Sequence, residues 1–357
     1  MNRNIKKMFM ITLLLSISIF IAACGSNDSS DEGDTSNGDD SASAGEEEEV
    51  TWMLNHIRPA DTRTDDSAKE FSSNVSEQTD GRVNIEIYDN SQLGDYQQVQ
   101  ESVSAGEIEM QLATLSTTVD STLQVAIAPN LVANWEEAKQ LYNSEDGVLN
   151  QYLSDRLEEQ NIKLLAVYPQ YFGSIFLADE ANEPRNPESS KDIKVRVPSM
   201  NTFEAYGEGL GFIVTPLPIT ETFTSLQTGV VDGIIGGGTE LYYNDYAELG
   251  ESILPVNTHL EAHYLTVNKD EFEALSDEDQ QSITDIAIEF EEQAFIQAEE
   301  EENKYNDLIE EEGVEVVDLT DEEVQAYADK VRQDVWPSIE DEYGDIFQEV
   351  KDELGIE

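Results

Sequence analysis

The chain has 357 residues, of which 77 are Asp or Glu and only 19 are Lys or Arg, so its formal net charge is −58. Binding to nucleic-acid phosphates requires clustered cationic side chains, and this composition therefore excludes nucleic acid as a partner. So much negative charge repels itself, and salt near 1 M relieves the repulsion by shortening the Debye length to about 3 Å. We therefore expect a salt-loving organism; the alternative is an acidic surface that evolved only for solubility.

The amino terminus has the pattern of a secretory signal. Three cations precede an apolar run over residues 8–21, which is shorter than the roughly 20 residues that a membrane-spanning helix needs. The run ends in Ile-Ala-Ala-Cys, so we predict a signal peptide over residues 1–23 and lipidation of Cys24, the only cysteine. An ordinary signal peptide with a chance cysteine is the alternative. Cleavage would take the net charge from −58 to −61.

Residues 24–49 are predicted to be an acidic, disordered tether. After Cys24 they contain Gly, Ser, Asn, Asp, Glu and other small or polar residues, and no large apolar side chain. Such a segment cannot bury enough surface to repay the entropy of ordering it. Two acyl groups bind a membrane stably, so a diacylated Cys24 would anchor the protein to the outer face of the cell membrane.

Strands and helices alternate from Val50 onward. In the first part of the chain, alternating or short apolar runs predict strands over 50–55, 83–88 and 110–113, with helices over 65–78 and 96–105. This order implies parallel strands joined by right-handed crossovers. No GxGxxG or GxxxxGK[ST] motif lies at these strand-to-helix turns, so nucleotide binding has no support.

A second set of elements follows, and a long helix comes after it. The predicted strands are 164–168, 175–177, 193–197, 213–214 and 231–235, the helices 203–210 and 221–228, and a strand over 262–267 that returns to the first lobe. Ser276 with Asp279 caps a helix that runs to about Glu311 and would span roughly 50 Å. Thr320 begins a further helix that must stop or kink near Pro337.

Arg196 is the first candidate for binding chemistry. It ends an apolar strand in Lys-Val-Arg-Val-Pro, and the motif Leu-Gln-Thr-Gly-Val-Val-Asp-Gly follows over residues 226–233. A guanidinium matches a carboxylate with two parallel hydrogen bonds. At the carboxyl end of a strand in an open α/β sheet, it would face the crevice in which ligands bind. The alternative is a structural salt bridge.

These motifs, in this order and spacing, resemble the solute-binding proteins of tripartite ATP-independent periplasmic (TRAP) transporters, the dicarboxylate-binding (DctP) type, in a lipoprotein form. The resemblance covers about residues 50–350 and implies a two-lobe, periplasmic-binding-protein-like (Venus flytrap) α/β fold with a long helix spanning both lobes. It also implies that Arg196 grips the carboxylate of a small organic acid ligand. The loaded protein would deliver this ligand to membrane permease subunits driven by an ion gradient.

We expect lobe I to comprise residues 50–169 and 263–302, and lobe II to comprise residues 170–262 and 303–357. Arg58 and Arg63 lie in the loop after the first strand, which opens onto the crevice in this architecture, so either could contact the anion. Arg58 is the better candidate. Pairing with the nearby aspartates of the same loop and helix is equally compatible with the sequence.

Further candidate ligand contacts come from strand ends and from loops, which supply hydroxyl and backbone donors to small ligands. Thr114 follows a predicted strand, Tyr171 lies near a lobe edge, and Asn201 precedes the helix after Arg196. Tyr171, like Phe172 and Trp135, could instead pack in the core.

The chain departs from the family after Val-Asp-Gly. Many members continue Gln-Glu-Asn-Pro, whereas this sequence has Ile-Ile and then the loop Gly236–Glu240, Gly-Gly-Gly-Thr-Glu. Gly236 and its neighbours allow close backbone approach, and Glu240 could accept a hydrogen bond from a hydroxyl or amino group of the ligand. Phe172 stands where sialate-type members carry a second arginine, so sialic acid is a doubtful ligand.

Catalysis, metals and cofactors have no support in the sequence. His259 and His263 are four residues apart in a predicted strand region without an HExxH pattern, and no GxSxG motif is present. We therefore predict a protein that is not an enzyme and that uses no cofactor or metal. The alternatives are a ligand-presenting subunit of a sensor, a surface hydrolase, and a ligand-free adhesin or scaffold.

Overall fold

The computed structural model describes residues 49–356. The predicted signal peptide, Cys24 and nearly all of the predicted tether lie outside the described residues. Strands form at β1 Val50–His56, β2 Val83–Tyr88, β3 Met110–Ala113, β4 Ile162–Phe172, β5 Ser174–Leu177, β6 Lys194–Val197, β7 Ile213–Pro216, β8 Gly233–Gly237, β9 Ser252–Leu254, β10 Leu260–Asn268 and β11 Glu315–Val316.

The α-helices are α1 Arg63–Gln78, α2 Tyr96–Ala105, α3 Trp135–Tyr142, α4 Val148–Glu158, α5 Asn201–Gly209, α6 Ile219–Gln227, α7 Thr239–Asp245, α8 Lys269–Glu273, α9 Asp277–Glu311, α10 Asp321–Asp334, α11 Trp336–Ile339 and α12 Ile346–Leu354. Short 3₁₀ helices occupy Ser121–Ile127, Ala247–Leu249 and Glu340–Glu342. Every strand predicted above is present, whereas the strands β9 and β11 and the helices α3, α4, α7, α8, α11 and α12 were not predicted.

The first sheet has five strands in the order β2-β1-β3-β10-β4. β1 pairs in parallel with β2 and β3, as the strand–helix–strand order predicted, and β10 lies antiparallel between β3 and β4. The prediction that the strand around 262–267 returns to this sheet is confirmed. The carboxyl ends of β1 and β3 therefore meet at one edge, where Arg58 and Thr114 follow them.

The second sheet has six strands in the order β11-β9-β5-β8-β6-β7. β6 pairs in parallel with β7 and β8, and Arg196 stands opposite Thr215 on one side and Ile234 on the other. Arg196 is therefore held by a neighbouring strand on each side. Its position in the sheet is fixed by backbone pairing on both edges of β6.

Helices cover both faces of each sheet. In the first sheet, Phe71 of α1 packs on one face, while Val103 of α2 and Leu153 of α4 belong to the core on the other. In the second sheet, Val195 and Val197 of β6 belong to the core that contains α5 and α10, whereas Ile234 of β8 belongs to the core with α6 and α7. This is the α/β architecture expected from the sequence.

Two neighbouring segments connect the sheets. β4 ends at Phe172 in the first sheet and β5 begins at Ser174 in the second, while the chain between β9 and β10 runs back beside it. Gly173 N donates a hydrogen bond to His259 O at 2.8 Å, and Thr258 N donates to Gly173 O at 2.8 Å. The two connections are therefore bonded to each other where they pass from one sheet to the other.

The long helix α9 has 35 residues and is about 52 Å long at 1.5 Å per residue. The Ser276 hydroxyl accepts a hydrogen bond from Asp279 N at 3.1 Å, as the capping pattern predicted. Ile283 and Ile286 pack in the core of the first sheet, and Ile309 packs in the core of the second. One helix thus contacts both cores, which confirms the predicted long helix.

The carboxyl-terminal part also follows its local signals. Thr320 and Glu323 form the predicted capping box at the start of α10, with Thr320 N donating to the Glu323 carboxylate at 2.8 Å. The helix ends at Asp334, shortly before Pro337, which lies in the first turn of α11. Within residues 49–356, no helix is both long enough and apolar enough to cross a membrane.

Candidate ligand-binding site

Arg196 is a buried cation. Only 4% of its surface is exposed, and it lies on the opposite face of β6 from the core residues Val195 and Val197. Its Nε donates to Leu217 O at 2.8 Å, and its Nη1 donates to Ile235 O at 3.5 Å. Leu217 directly follows β7 and Ile235 lies within β8, so the neighbouring strands orient the guanidinium.

No carboxylate of the described residues pairs with Arg196. Burial lowers the pKa of its guanidinium, and the neighbouring phenols of Tyr242 and Tyr246 oppose this shift. Arginine ordinarily loses its proton only above pH 12, so the side chain remains a cation. Arg196 therefore does not form, with the described residues, the structural salt bridge that the sequence left as the alternative.

Arg58 forms an ion pair with Glu240. Its Nη2 lies 3.1 Å from Glu240 Oε2, and the two side chains are 34% and 29% exposed. Tyr305 of α9 donates to the other carboxylate oxygen at 3.3 Å. Arg58 follows a strand of the first sheet and Glu240 follows a strand of the second, so this pair joins elements of the two sheets. The aspartates of its own loop are not its partner.

Arg63 is used by the fold. Its Nε donates to Glu301 Oε2 of α9 at 2.7 Å, and its Nη2 donates to the carbonyl oxygens of Pro169 and Gln170. The guanidinium carbon also lies 4.8 Å from the centre of the Tyr168 ring. With a carboxylate, two carbonyls and a ring as neighbours, this arginine fastens α1 to β4 and α9.

A groove of about 590 Å³ lies beside these arginines, and its lining includes Arg58, Arg63, Glu240, Glu301 and Tyr305. Arg196 is not among the lining residues. The predicted contacts therefore fall into two groups. Arg58, Glu240 and Tyr171 lie together, and Arg196 lies at the other end of the loop that begins after Ile235.

The glycines of the Gly236–Glu240 loop are required by close packing. Gly236 has a φ of +100°, and a Cβ there would lie 2.8 Å from the Pro198 ring. A Cβ on Gly238 would lie 2.5 Å from the ring of Tyr171. The loop is thus held between Pro198 of the β6–α5 connection and Tyr171 of β4. The predicted loop is in fact the end of β8 at Gly236 and Gly237, the single residue Gly238, and the start of α7 at Thr239, and α7 has only seven residues.

The remaining predicted contacts have different surroundings. Thr114 follows β3 and is half-buried, whereas Asn201 is exposed at the first position of α5. Trp135 packs edge-on against Phe172, with the centres of the two rings 4.6 Å apart. The indole Nε1 of Trp135 donates a hydrogen bond to the Glu302 carboxylate at 3.0 Å. These two aromatic side chains belong to the core region, which is the alternative that the sequence left open for them.

Glu261 was not identified from the sequence. It lies on β10 directly opposite Tyr171 of β4, and its Oε2 is 3.9 Å from His259 Nε2. Burial raises the pKa of Glu261 to about 7 and Arg58 opposes this shift, while burial lowers the pKa of His259 to about 4. The signal in the sequence was a single acid, Glu261, between the apolar residues Leu260 and Ala262 of this strand.

The histidines do not gather metal ligands. His56 contacts Asp65 at 3.3 Å, and burial lowers the pKa of His263 to about 3. In the part of the chain that the structure describes, no group of three or more His, Cys, Asp or Glu side chains is placed to hold a metal ion.

Two α/β sheets joined by paired connecting segments, with a long helix against both cores, form the architecture that the sequence predicted for a two-lobe binding protein. The family model for bacterial extracellular solute-binding protein, family 7 (DctP) matches residues 54–342, and the chain belongs to this family. Its members are the receptors of TRAP transporters. The protein is therefore a receptor that works outside the cytoplasm with membrane transporter components, and not an enzyme.

A relative and two solved structures illustrate the similarity. The C4-dicarboxylate-binding periplasmic protein DctP of Rhodobacter capsulatus is 24% identical over 229 residues, covering 64% of this chain and 68% of that protein. A TRAP periplasmic solute-binding protein from Ochrobactrum anthropi superposes with a TM-score of 0.77 at 21% identity, covering 87% of this chain and 96% of that one. A Chromohalobacter salexigens protein with bound D-glucuronate gives a TM-score of 0.68 at 22% identity, covering 86% and 100%.

Proposed function

We propose that this receptor captures a small organic carboxylate and that Arg196 binds the carboxylate group. The observation that supports this is a buried guanidinium for which no acid within residues 49–356 is a partner, although acidic residues are abundant there. Relatives that bind a C4-dicarboxylate and D-glucuronate support the same ligand class.

A ligand carboxylate would give Arg196 its missing partner. An isolated charge is costly to bury, and a pair with good geometry and further hydrogen bonds offsets that cost. Leu217 O and Ile235 O already hold Nε and Nη1, so the guanidinium is oriented before the ligand arrives. Such preorganisation reduces the entropy lost on binding.

The ligand would be enclosed by a hinge motion between lobe I (50–169 and 263–302) and lobe II (170–262 and 303–357). The bonded connections at Gly173 and Thr258 are the expected hinge, because they are the short segments between the sheets. Contacts from both lobes favour the closed state. The proposed additional ligand contacts are Thr114, Tyr171, Asn201 and Gly236. Arg58 and Glu240 form an ion pair that joins the two lobes.

The membrane anchor is a separate part of the proposal. The Ile-Ala-Ala-Cys sequence and the polar segment that follows it support a lipidated Cys24, a signal peptide over residues 1–23 and a tether that holds the receptor at the cell membrane. The acidic composition supports life in high salt. A Cys24→Ser variant should leave the membrane fraction, and its retention there in the amount of wild type would contradict lipid anchoring.

Thermal unfolding with a panel of ligands tests the binding proposal. The chain carrying Cys24→Ser would be unfolded in about 2 M salt, to screen surface repulsion, with C4-dicarboxylates, 2-oxo acids, sugar acids and zwitterionic acids. A ligand at a hundredfold its Kd should add about 2.7 kcal/mol to the free energy of unfolding. Arg196→Ala should lose this gain.

Arg156→Ala is the matched control, because Arg156 is partly exposed and lies 3.8 Å from Asp120, away from the proposed site. It should respond to the ligand as wild type does. Each variant is compared with its own ligand-free curve. If no carboxylate shifts the folded wild type, or if Arg196→Ala responds equally, the proposal is wrong.

A further inference from the structure

Glu261 is an acidic side chain that faces the region of the Arg58–Glu240 pair. In the antiparallel register it stands opposite Tyr171, and the Tyr171 ring in turn contacts the Gly236–Glu240 loop at Gly238. Leu260 and Ala262, on either side of it, belong to the hydrophobic core on the other face of β10. The Glu261 side chain is 24% exposed, whereas these two neighbours are buried.

No hydrogen-bond donor of the described residues satisfies the Glu261 carboxylate. Its nearest basic group is His259 Nε2 at 3.9 Å, beyond hydrogen-bond distance, and burial keeps this imidazole neutral at pH 7 by lowering its pKa to about 4. Arg58 is close enough to influence Glu261, but its Nη2 is bonded to Glu240.

The other titratable groups that face Glu261 are phenols. Tyr171 of β4, Tyr142 of α3 and Tyr264 of β10 all interact with its charge, and burial raises the pKa of each, so all three are neutral at pH 7. Among the described residues, Glu261 is thus surrounded by neutral side chains and by one cation, Arg58, which is already paired with Glu240. None of them donates a hydrogen bond to the Glu261 carboxylate. A second anion placed here would be repelled by Glu261 at a pH above about 7, where its carboxyl group is ionised.

Two arginines and two glutamates lie around the segment Gly236–Glu240. Arg58 and Arg196 are the two cations, and Glu240 and Glu261 are the two acids. A dicarboxylate is held best by two unpaired cations, whereas Arg58 already pairs with Glu240 and Arg63 already pairs with Glu301. A ligand with one carboxylate and a donor group at a distance from it would satisfy both Arg196 and Glu261.

We propose that Glu261 determines specificity by accepting a hydrogen bond from the ligand, and that the receptor takes monocarboxylates bearing a hydroxyl or ammonium group in preference to dicarboxylates. This inference rests on the proposed function, because it assumes that Arg196 holds the ligand's carboxylate. The inference adds Glu261 as a second anchor point for the ligand, beside Arg196. It thereby narrows the ligands from carboxylates in general to monocarboxylates with a hydroxyl or ammonium group.

Matched ligands that differ only in the end group test the preference by titration calorimetry at high salt and at a pH above about 7, where Glu261 is ionised. The first series is succinate, 4-hydroxybutyrate and 4-aminobutyrate, and the second is D-glucarate against D-gluconate. Wild type should bind the monocarboxylate of a series at least about tenfold more tightly than the dicarboxylate, since tenfold corresponds to only 1.4 kcal/mol. The 4-hydroxy and 4-amino compounds separate a hydroxyl donor from an ammonium donor.

Glu261→Gln removes the charge while keeping the size of the side chain, and its amide can donate to a carboxylate. We expect this variant to bring the affinity ratio of monocarboxylate to dicarboxylate close to one. The exposed Glu107 provides the matched control, and Glu107→Gln should keep the wild-type ratio. Unfolding curves without ligand verify that both variants are folded.

Equal or tighter binding of succinate or D-glucarate by wild type would overturn the inference and leave the proposed function intact. An unchanged ratio in Glu261→Gln would also overturn it. If no carboxylate binds to the folded wild type, the proposed function fails, and this inference fails with it. The two failures are therefore distinguishable.

Discussion

Two buried arginines in this molecule have different partners. Arg332 of α10 is 6% exposed, donates to the carbonyl oxygens of Asn130 and Leu131, and pairs with Glu137 at 2.7 Å. Arg196 is 4% exposed and also donates to two carbonyl oxygens, but no carboxylate of the described residues completes its environment. Burial alone therefore does not separate a structural arginine from a binding one. The missing anion does.

Arg332 should show the largest effect on stability. Arg332→Met removes the guanidinium from two carbonyl oxygens and from Glu137, whose carboxylate then keeps only the backbone donor Ala133 N, and breaking a buried pair in this way costs about 3–5 kcal/mol. We expect a loss of this size in the free energy of unfolding measured by denaturant at high salt. A loss below about 1 kcal/mol in the free energy of unfolding would show that the Arg332–Glu137 pair contributes no more than an exposed ion pair. The contrast drawn between Arg332 and Arg196 would then be weaker.

Glu261 should make the stability depend on pH. Its pKa is raised from 4.5 to about 7 in the folded state, so the folded state holds a proton that the unfolded state has released over this range. The free energy of unfolding should therefore fall as the pH rises from about 4.5 to about 7, by on the order of 2 kcal/mol after allowance for partial exposure.

Glu261→Gln should remove this contribution. His259 and His263 act in the opposite direction, because their lowered pKa values favour the folded state as the pH rises through about 4 and above. The quantity to measure is therefore the difference between the pH profiles of wild type and Glu261→Gln. Profiles that coincide between pH 4.5 and 7 would contradict the account of Glu261.

The Arg58–Glu240 pair should contribute little to stability. Both side chains are about a third exposed, and exposed pairs are worth about 0.2–1 kcal/mol, less at high salt. A double-mutant cycle with Arg58→Met and Glu240→Gln measures the coupling directly. A coupling near 3 kcal/mol would show that this pair resembles Arg332–Glu137 and fastens the two sheets together.

Arg196 should show the smallest effect in the absence of ligand. Arg196→Met removes an unpaired buried charge and two hydrogen bonds to carbonyl oxygens, and these changes oppose each other. We expect the free energy of unfolding to change by less than about 1 kcal/mol, in contrast to Arg332→Met. A loss of about 3 kcal/mol or more would assign Arg196 to the fold.

Local signals made much of the fold predictable. The capping residues Ser276 and Thr320 and the apolar period of α9 depend only on neighbours in sequence, and the structure confirms them. The helices α3 and α12 were missed, although Asn134 caps α3 by accepting from Glu137 N at 2.9 Å. The N-cap residue was present in the sequence, but the helix of eight residues that follows is short for a periodic pattern.

The site was less predictable because its contacts join distant parts of the chain. The Arg58–Glu240 pair links residues 182 apart, and no local pattern favours Glu240 over the aspartates near Arg58. Arg63 has the same loop position, yet it pairs with Glu301 on α9. Glu261 was missed because an acid in a strand is ordinarily taken to face solvent. The ligand roles of Arg196, Arg58 and the other predicted contacts stay predictions.

A crystal structure with the carboxylate selected by the thermal panel is the most direct test of whether Arg196 binds the ligand. We predict that the ligand's carboxylate lies within about 3 Å of the Arg196 guanidinium. Leu217 O and Ile235 O should still accept hydrogen bonds from this guanidinium. A ligand held in the groove between Arg58 and Arg63, with no contact to Arg196, would contradict the account.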